Sequence, residues 1–102
     1  MDMKKMMKQA QKMQRDAAAA QQEIAAMTFE ASAGGGMVKA TATGEMAITD
    51  ITIDPAAVDP EDAEMLQDMV VAAVNEALRA ASEAANARMN AVMGGMKIPG
   101  LM

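Results

Sequence analysis

The chain has 102 residues and a formal net charge of −5, and it contains no Cys, His, Trp or Tyr. Its length fits one domain, and the missing residue types exclude disulfides, thiolate metal sites and catalysis by Cys or His. With Phe29 as the sole aromatic residue, base stacking on aromatic side chains has almost nothing to work with. We therefore expect a protein that is not an enzyme and that uses no cofactor or metal.

The potential core is rich in residues but small in volume, because Ala and Met supply most of the 52% of residues that are apolar. A domain of this size is marginally stable, and small side chains reduce the apolar area that it can bury. This composition predicts self-association. The chain lacks a run of about 20 apolar residues, and no apolar signal block follows its basic N-terminus. A cytoplasmic protein without a membrane partner is expected.

An unbroken 3-4 spacing of apolar residues predicts a long first helix that ends near Met27. This spacing is an a/d seam, and a seam packs against a partner helix. The seam consists of Met3, Met6, Ala10, Met13, Ala17, Ala20, Ile24 and Met27. An interhelical core is the favoured interpretation, and an adaptable Met-lined groove for a foreign apolar segment is the alternative.

The same helix carries cations on the face roughly opposite the seam. We name Lys5, Lys8, Lys12 and Arg15 the basic stripe, with Lys4 beside it. At about 100° per residue these positions share one side of the helix. Acidic residues dominate elsewhere, since the chain from Ala40 to Leu78 has no Lys or Arg. The basic stripe is either a phosphate-binding surface or a solvated face that keeps a Met-rich helix soluble.

Three short strands are predicted after this helix, at residues 28–33, 37–43 and 46–54. Glycines at positions 34–36 and at position 44 mark the turns between them. Alternation places Val38, Ala40 and Ala42 on one face of the second strand, and Thr49, Ile51 and Ile53 on one face of the third. Short connections between consecutive strands indicate an antiparallel meander.

A second long helix is predicted after the sheet. Asp59 is placed to cap it, with Pro60 at its first position, and apolar and small residues continue to about Met93. Gly94 and Gly95 stop this helix, so residues 94–102 are predicted to form a flexible Gly/Met/Pro tail after a single domain at residues 1–93. The predicted fold class is α+β, with a long helix, a three-stranded antiparallel meander and a long helix.

Five segments spread over the chain carry a family resemblance. They are MKQAQKMQ at residues 7–14, GGGMVKATATGEM at 34–46, ITIDP at 51–55, MLQDMVVAAVNEAL at 65–78 and MGGMKIPGLM at 93–102. In their order and spacing they resemble the YbaB/EbfC family of bacterial nucleoid-associated proteins. The resemblance covers essentially the whole chain, although no single segment is specific.

The resemblance implies an intertwined homodimer whose long helices project from a shared sheet body, and it implies binding of double-stranded DNA with little sequence preference. It also implies a cytoplasmic, nucleoid-associated location. The DNA-binding residues expected from it are Lys4, Lys5, Lys8, Lys12, Arg15, Arg88 and Lys97. It raises the phosphate-binding interpretation of the basic stripe above the solvated-face interpretation.

We expect an architectural or regulatory protein without catalytic residues or a small-molecule substrate. Phosphate contacts should dominate, because the chain has no aromatic or Asn-rich helix for reading base edges. The alternative is a homodimeric protein-interaction module whose Met-lined helices bind another protein, without direct DNA binding. These two hypotheses differ in their dependence on salt, since only phosphate contacts release counterions from DNA.

Overall fold

The computed structural model describes residues 2–94, which form two long helices and a three-stranded sheet. Helix α1 spans Met3–Ala26, and strands β1, β2 and β3 span Thr28–Ala33, Val38–Thr43 and Ile48–Ile53. A short 3-10 turn at Pro55–Ala57 precedes helix α2, which spans Ala63–Gly94. This order confirms the predicted α+β class. The predicted tail lies outside the described residues from Gly95 onward.

The sheet has the order β1-β2-β3 and is antiparallel throughout, as the short connections predicted. Between β1 and β2 the chain reverses at three glycines with φ angles of 64°, 69° and 93°. Residues with a Cβ rarely adopt such values, so the turn requires glycine there. The β2–β3 turn contains Met46 at φ 65°, the one residue other than glycine with a positive φ in the described chain.

A bulge in β3 changes one predicted face. Thr41 pairs with Asp50 but Ala42 pairs with Ile48, so Thr49 is an extra residue without a partner in the ladder. The prediction that Thr49 shares a face with Ile51 and Ile53 is therefore wrong. Ile48 packs against the core instead of Thr49. Strict alternation failed here because one inserted residue reverses the side on which the following side chains lie.

The core consists largely of alanine. Val38, Ala40 and Ala42 of β2 share one face, as alternation predicted, and this face is fully buried. Ala73, Ala77 and Ala81 of α2 are buried against it. Larger residues such as Phe29, Leu66 and Val70 pack around this centre and are only partly buried. Because alanine side chains are small, the backbones of α2 and β2 can approach each other closely, and the core between them encloses little apolar volume.

Helix α2 begins later than predicted. Asp59 accepts a hydrogen bond from Glu61 N (3.0 Å), and Asp62 N donates to Asp59 O (2.9 Å), so residues 59–62 form a turn. Proline suits the second position of such a turn as well as the first turn of a helix. The helix is capped by Asp62, which accepts from Met65 N (3.2 Å).

Helix α1 is anchored only by its C-terminal half. Ala20 and Ile24 are 1% and 7% exposed, whereas the seam residues Met3 and Met6 are 72% and 51% exposed. The seam thus packs on α2 as an interhelical core near the sheet, and the N-terminal half of α1 projects beyond it. The radius of gyration of 20.0 Å far exceeds the ~13 Å typical of a compact domain of about 100 residues.

A close approach at Gly44 fixes the anchored half of α1. Gly44 N donates to Met27 O (3.1 Å), and a Cβ at position 44 would clash with the Ile24 carbonyl and lie 2.6 Å from Ile24 Cγ2. The end of α1 therefore rests directly on the backbone of the β2–β3 turn. This contact sets the direction in which the rest of α1 leaves the sheet.

Candidate nucleic-acid interface

The N-terminal end of α1 concentrates positive charge. Asp2 caps the helix by accepting from Lys4 N (3.0 Å), and the first turn contains no acidic residue. The positive end of the helix dipole therefore coincides with Lys4 and Lys5. Such an arrangement lowers the stability of the isolated helix and strengthens its attraction for anions.

The basic stripe lies on the exposed face of this projecting helix. All five predicted cations, Lys4, Lys5, Lys8, Lys12 and Arg15, are exposed. Among the described residues, ion pairs involve only Arg79 and Arg88, so these five cations have no acidic partner there. Lys5, Lys8, Gln9 and Lys12 lie side by side on this exposed part of the helix. The structure thus brings the predicted stripe residues together on one accessible surface.

The two other predicted contacts have different outcomes. Arg88 lies on α2, and its Nε donates to Glu23 Oε2 of α1 at 2.8 Å. The hydrogen bond and the charge of Arg88 lower the pKa of Glu23 below its usual value, so this carboxylate stays ionised at neutral pH. Lys97 lies outside the described residues. The roles of Arg88 and Lys97 in DNA binding therefore stay predictions.

The body of the molecule has the opposite charge. Three aspartates, Asp54, Asp59 and Asp62, accept hydrogen bonds from backbone N–H groups at turns and at the start of α2. Arg79 is held by Glu76 and Glu83 on its own helix, and the hydrogen bond from Arg79 lowers the pKa of Glu76. Within residues 2–94, no cluster of three potential metal ligands is present. The sheet end of the molecule therefore attracts DNA phosphates only weakly.

Sequence reasoning missed two features of the surface. The Glu23–Arg88 pair joins residues 65 positions apart, and no local pattern indicates such a pairing. The second feature is an apolar surface beside β3, because α2 covers β1 and β2 and leaves Ile51 and Ile53 40% and 37% exposed. To predict which strand α2 leaves uncovered, one would need to know the position of the bulge in β3 and the direction in which α2 crosses the sheet.

Neither long helix of the described residues contains a segment apolar enough to cross a bilayer. The fold and the basic stripe define a class of small α+β proteins that present exposed cations on a projecting helix and acidic side chains on the body. Residues 1–96 match the model of the YbaB/EbfC DNA-binding family. The chain belongs to this family, because the match covers nearly the whole length of the chain.

Two relatives agree with this assignment, and a solved structure shares the fold. A nucleoid-associated protein of Acetivibrio thermocellus is 56% identical over 97 residues, which cover 94% of this chain and 86% of the relative. One from Pelotomaculum thermopropionicum is 53% identical over 100 residues, covering 98% and 95%. The crystal structure of an uncharacterized protein from Helicobacter pylori superposes with a TM-score of 0.73 at 23% identity, covering 95% of this chain and 99% of that one. This last similarity concerns the fold alone.

Proposed function

We propose that the protein binds double-stranded DNA mainly through phosphate contacts made by the basic stripe, with little sequence preference. The observation that carries this proposal is the set of five exposed cations on a projecting helix, which have no acidic partner within residues 2–94. Family membership supports DNA as the ligand. The chain has no aromatic residue near the stripe to stack on bases, which favours contacts with the backbone over base readout.

The charge distribution predicts how DNA approaches. Phosphates are attracted to the tip of α1, where the stripe and the helix dipole add, and they are repelled by the acidic turns around Asp54, Asp59 and Asp62. A complex should therefore use the tips of the helices and avoid the sheet. Binding in this manner needs no catalysis, cofactor or small molecule, and we propose an architectural or regulatory role in the cytoplasmic nucleoid.

We also propose that the protein acts as a homodimer. The N-terminal half of the seam and the apolar surface at Ile51 and Ile53 are exposed in the single chain, and the alanine core is small. A second copy that covers the surface beside β3 would bury Ile51 and Ile53 and place two basic stripes in one particle. Pairing would also double the number of phosphate contacts, to about ten if every stripe cation and Lys4 took part.

The decisive experiment measures anisotropy of a labelled random-sequence duplex at about 50 and 200 mM salt. A plot of log affinity against log salt concentration should have a slope no steeper than about −9 for a dimer. The slope should be about half as steep if only half of the cations make contact. Replacing Lys5, Lys8, Lys12 and Arg15 with Ala should abolish binding and leave the dimer folded. A variant with Arg at the three lysines keeps every charge and should bind like the parent.

The exposure of Met3 and Met6 supports one other candidate, a module that binds another protein through the uncovered seam. Such a module would bind its partner with little dependence on salt and would lose binding when Met3, Met6 and Met13 are replaced with polar residues. DNA binding that is absent at low salt, or that survives the stripe-to-alanine variant unchanged, would favour it. Capture from cell extract with the methionine variant as control would then identify the partner.

A further inference from the structure

We propose that Glu23 limits the affinity of the basic stripe for DNA, and that Arg88 serves as the counter-ion that neutralises it. This inference rests on the proposed function of the stripe. It gives Arg88 a role that differs from a simple phosphate contact, because its guanidinium is already engaged. The Glu23–Arg88 pair would then mark the inner end of the DNA-binding surface.

The position of Glu23 on α1 places it in line with the stripe. It follows Lys12 by 11 residues, which at about 100° per residue brings it within ~20° of the direction of Lys12. At ~1.5 Å per residue it lies ~17 Å further along the helix axis. A duplex carries one negative charge per ~1.7 Å of its axis, so DNA that binds at the tip of α1 and extends inward along the stripe would bring phosphates close to Glu23.

The surroundings of Glu23 show how its charge is balanced. Arg88 Nε lies 2.8 Å from Glu23 Oε2, and the two side chains are 38% and 53% exposed, respectively. Of the ion pairs within residues 2–94, this one alone joins two different elements, since both others lie within α2. Without Arg88, an unpaired carboxylate would face the phosphates. With it, the pair is neutral and both partners remain in contact with solvent.

Replacing Glu23 with Gln would therefore do two things at once. It removes a negative charge from the path of the DNA, and it releases the Arg88 guanidinium to bind a phosphate on the same surface. Asp16 provides a matched comparison, because it is an exposed acid on the same helix and has no ion-pair partner among the described residues. Asp16→Asn removes one negative charge but releases no cation.

The test is a double-mutant cycle in the full chain with a labelled random-sequence duplex. Glu23→Gln should bind about three- to tenfold more tightly than the parent at low salt, and this advantage should shrink about threefold between 50 and 200 mM salt, as one added phosphate contact predicts. Arg88→Gln should bind more weakly than the parent. The double variant should return close to the parent, and Asp16→Asn should gain affinity with a smaller change in salt slope.

Four results would overturn the proposal. Equal affinities, within about twofold, for the parent and all three variants of the cycle would place Glu23 outside the DNA path. Weaker binding by both single variants, together with lower thermal midpoints, would make the pair a clamp between the helices only. Salt-dependent binding by the parent that Glu23→Gln leaves unchanged defeats this inference alone. A parent that binds no DNA at low salt defeats the proposed function as well.

Discussion

Replacing Gly44 with Ala tests the attachment of α1 to the sheet. A Cβ at this position would clash with the Ile24 carbonyl and lie 2.6 Å from Ile24 Cγ2, and the contact includes the hydrogen bond from Gly44 N to Met27 O. The neighbouring atom is helix backbone, which cannot turn aside as a flexible side chain does. The end of α1 must therefore move away from the turn.

The size of the effect follows from what this movement disrupts. One backbone hydrogen bond contributes about 1 kcal/mol, and partial exposure of the buried Ile24 side chain adds about 1–2 kcal/mol. We expect a loss of about 2–3 kcal/mol in the free energy of unfolding, which lowers the melting temperature of a chain of this size by roughly 10–20 °C. A loss of this size is a large part of the ~5–15 kcal/mol that stabilises a typical domain.

Urea denaturation at fixed protein concentration measures this loss as a shift of the midpoint at constant m-value. Gly94→Ala is the matched control, because a Cβ there meets no atom within 4 Å and alanine favours the helix. This control should be as stable as the parent or slightly more so. If Gly44→Ala unfolds within about 0.5 kcal/mol of the parent, the close approach of α1 to the turn is refuted.

Three further predictions concern a turn, an ion pair and the apolar surface beside β3. Met46→Gly should raise stability by about 0.5–1 kcal/mol, because it relieves a φ of 65°; Met46→Ala keeps that φ, and an equal gain from it would contradict the explanation. The hydrogen bond and charge of Arg88 lower the pKa of Glu23 in the folded protein. The ion pair therefore stabilises the fold above the pKa that Glu23 has in the unfolded chain, and this stabilisation is lost as the pH falls through the pKa of Glu23 in the folded protein. Between about pH 5 and pH 3, the parent should therefore lose more stability in acid titrations than Glu23→Gln, and parallel curves would disprove the linkage. Ile53→Asp should convert a dimer to a folded monomer in analytical ultracentrifugation, while Thr52→Asp on the opposite face should not, and a dimeric Ile53→Asp would place the interface elsewhere.

The elements of the fold were predictable because their signals are local. The seam from Met3 to Met27 and the alternation around Val38 each follow a period that only one type of element satisfies. The start of α2 was wrong because Asp59 and Pro60 suit both a turn and a helix start, and the hydrogen bond from Asp62 N decides between them. The bulge at Thr49 was missed for a similar reason, since one inserted residue leaves no compositional mark.

The candidate site divides in the same way. The basic stripe lies on one helix, so its spacing was enough to place its members together. The pairing of Glu23 with Arg88, residues 65 positions apart in sequence, depends on how the two long helices pack against each other. The surface at Ile51 and Ile53 depends on where α2 lies on the sheet. No short segment of the sequence carries a pattern for either feature, so neither the ion pair nor the exposed surface could be predicted from the sequence of one chain.

The alanine centre of the core restricts how this protein can change over evolutionary time. At Ala40, Ala42, Ala73 and Ala77, side chains are fully buried between closely spaced backbones, so nearly every larger residue would overpack the core and only glycine is smaller. Mutational paths to higher stability through a bigger interior are thus closed. Adaptive change is directed instead to the projecting helices and the uncovered edge of the sheet, where substitutions meet solvent or another molecule. The interior should therefore tolerate few substitutions, and most tolerated changes should fall on these surfaces.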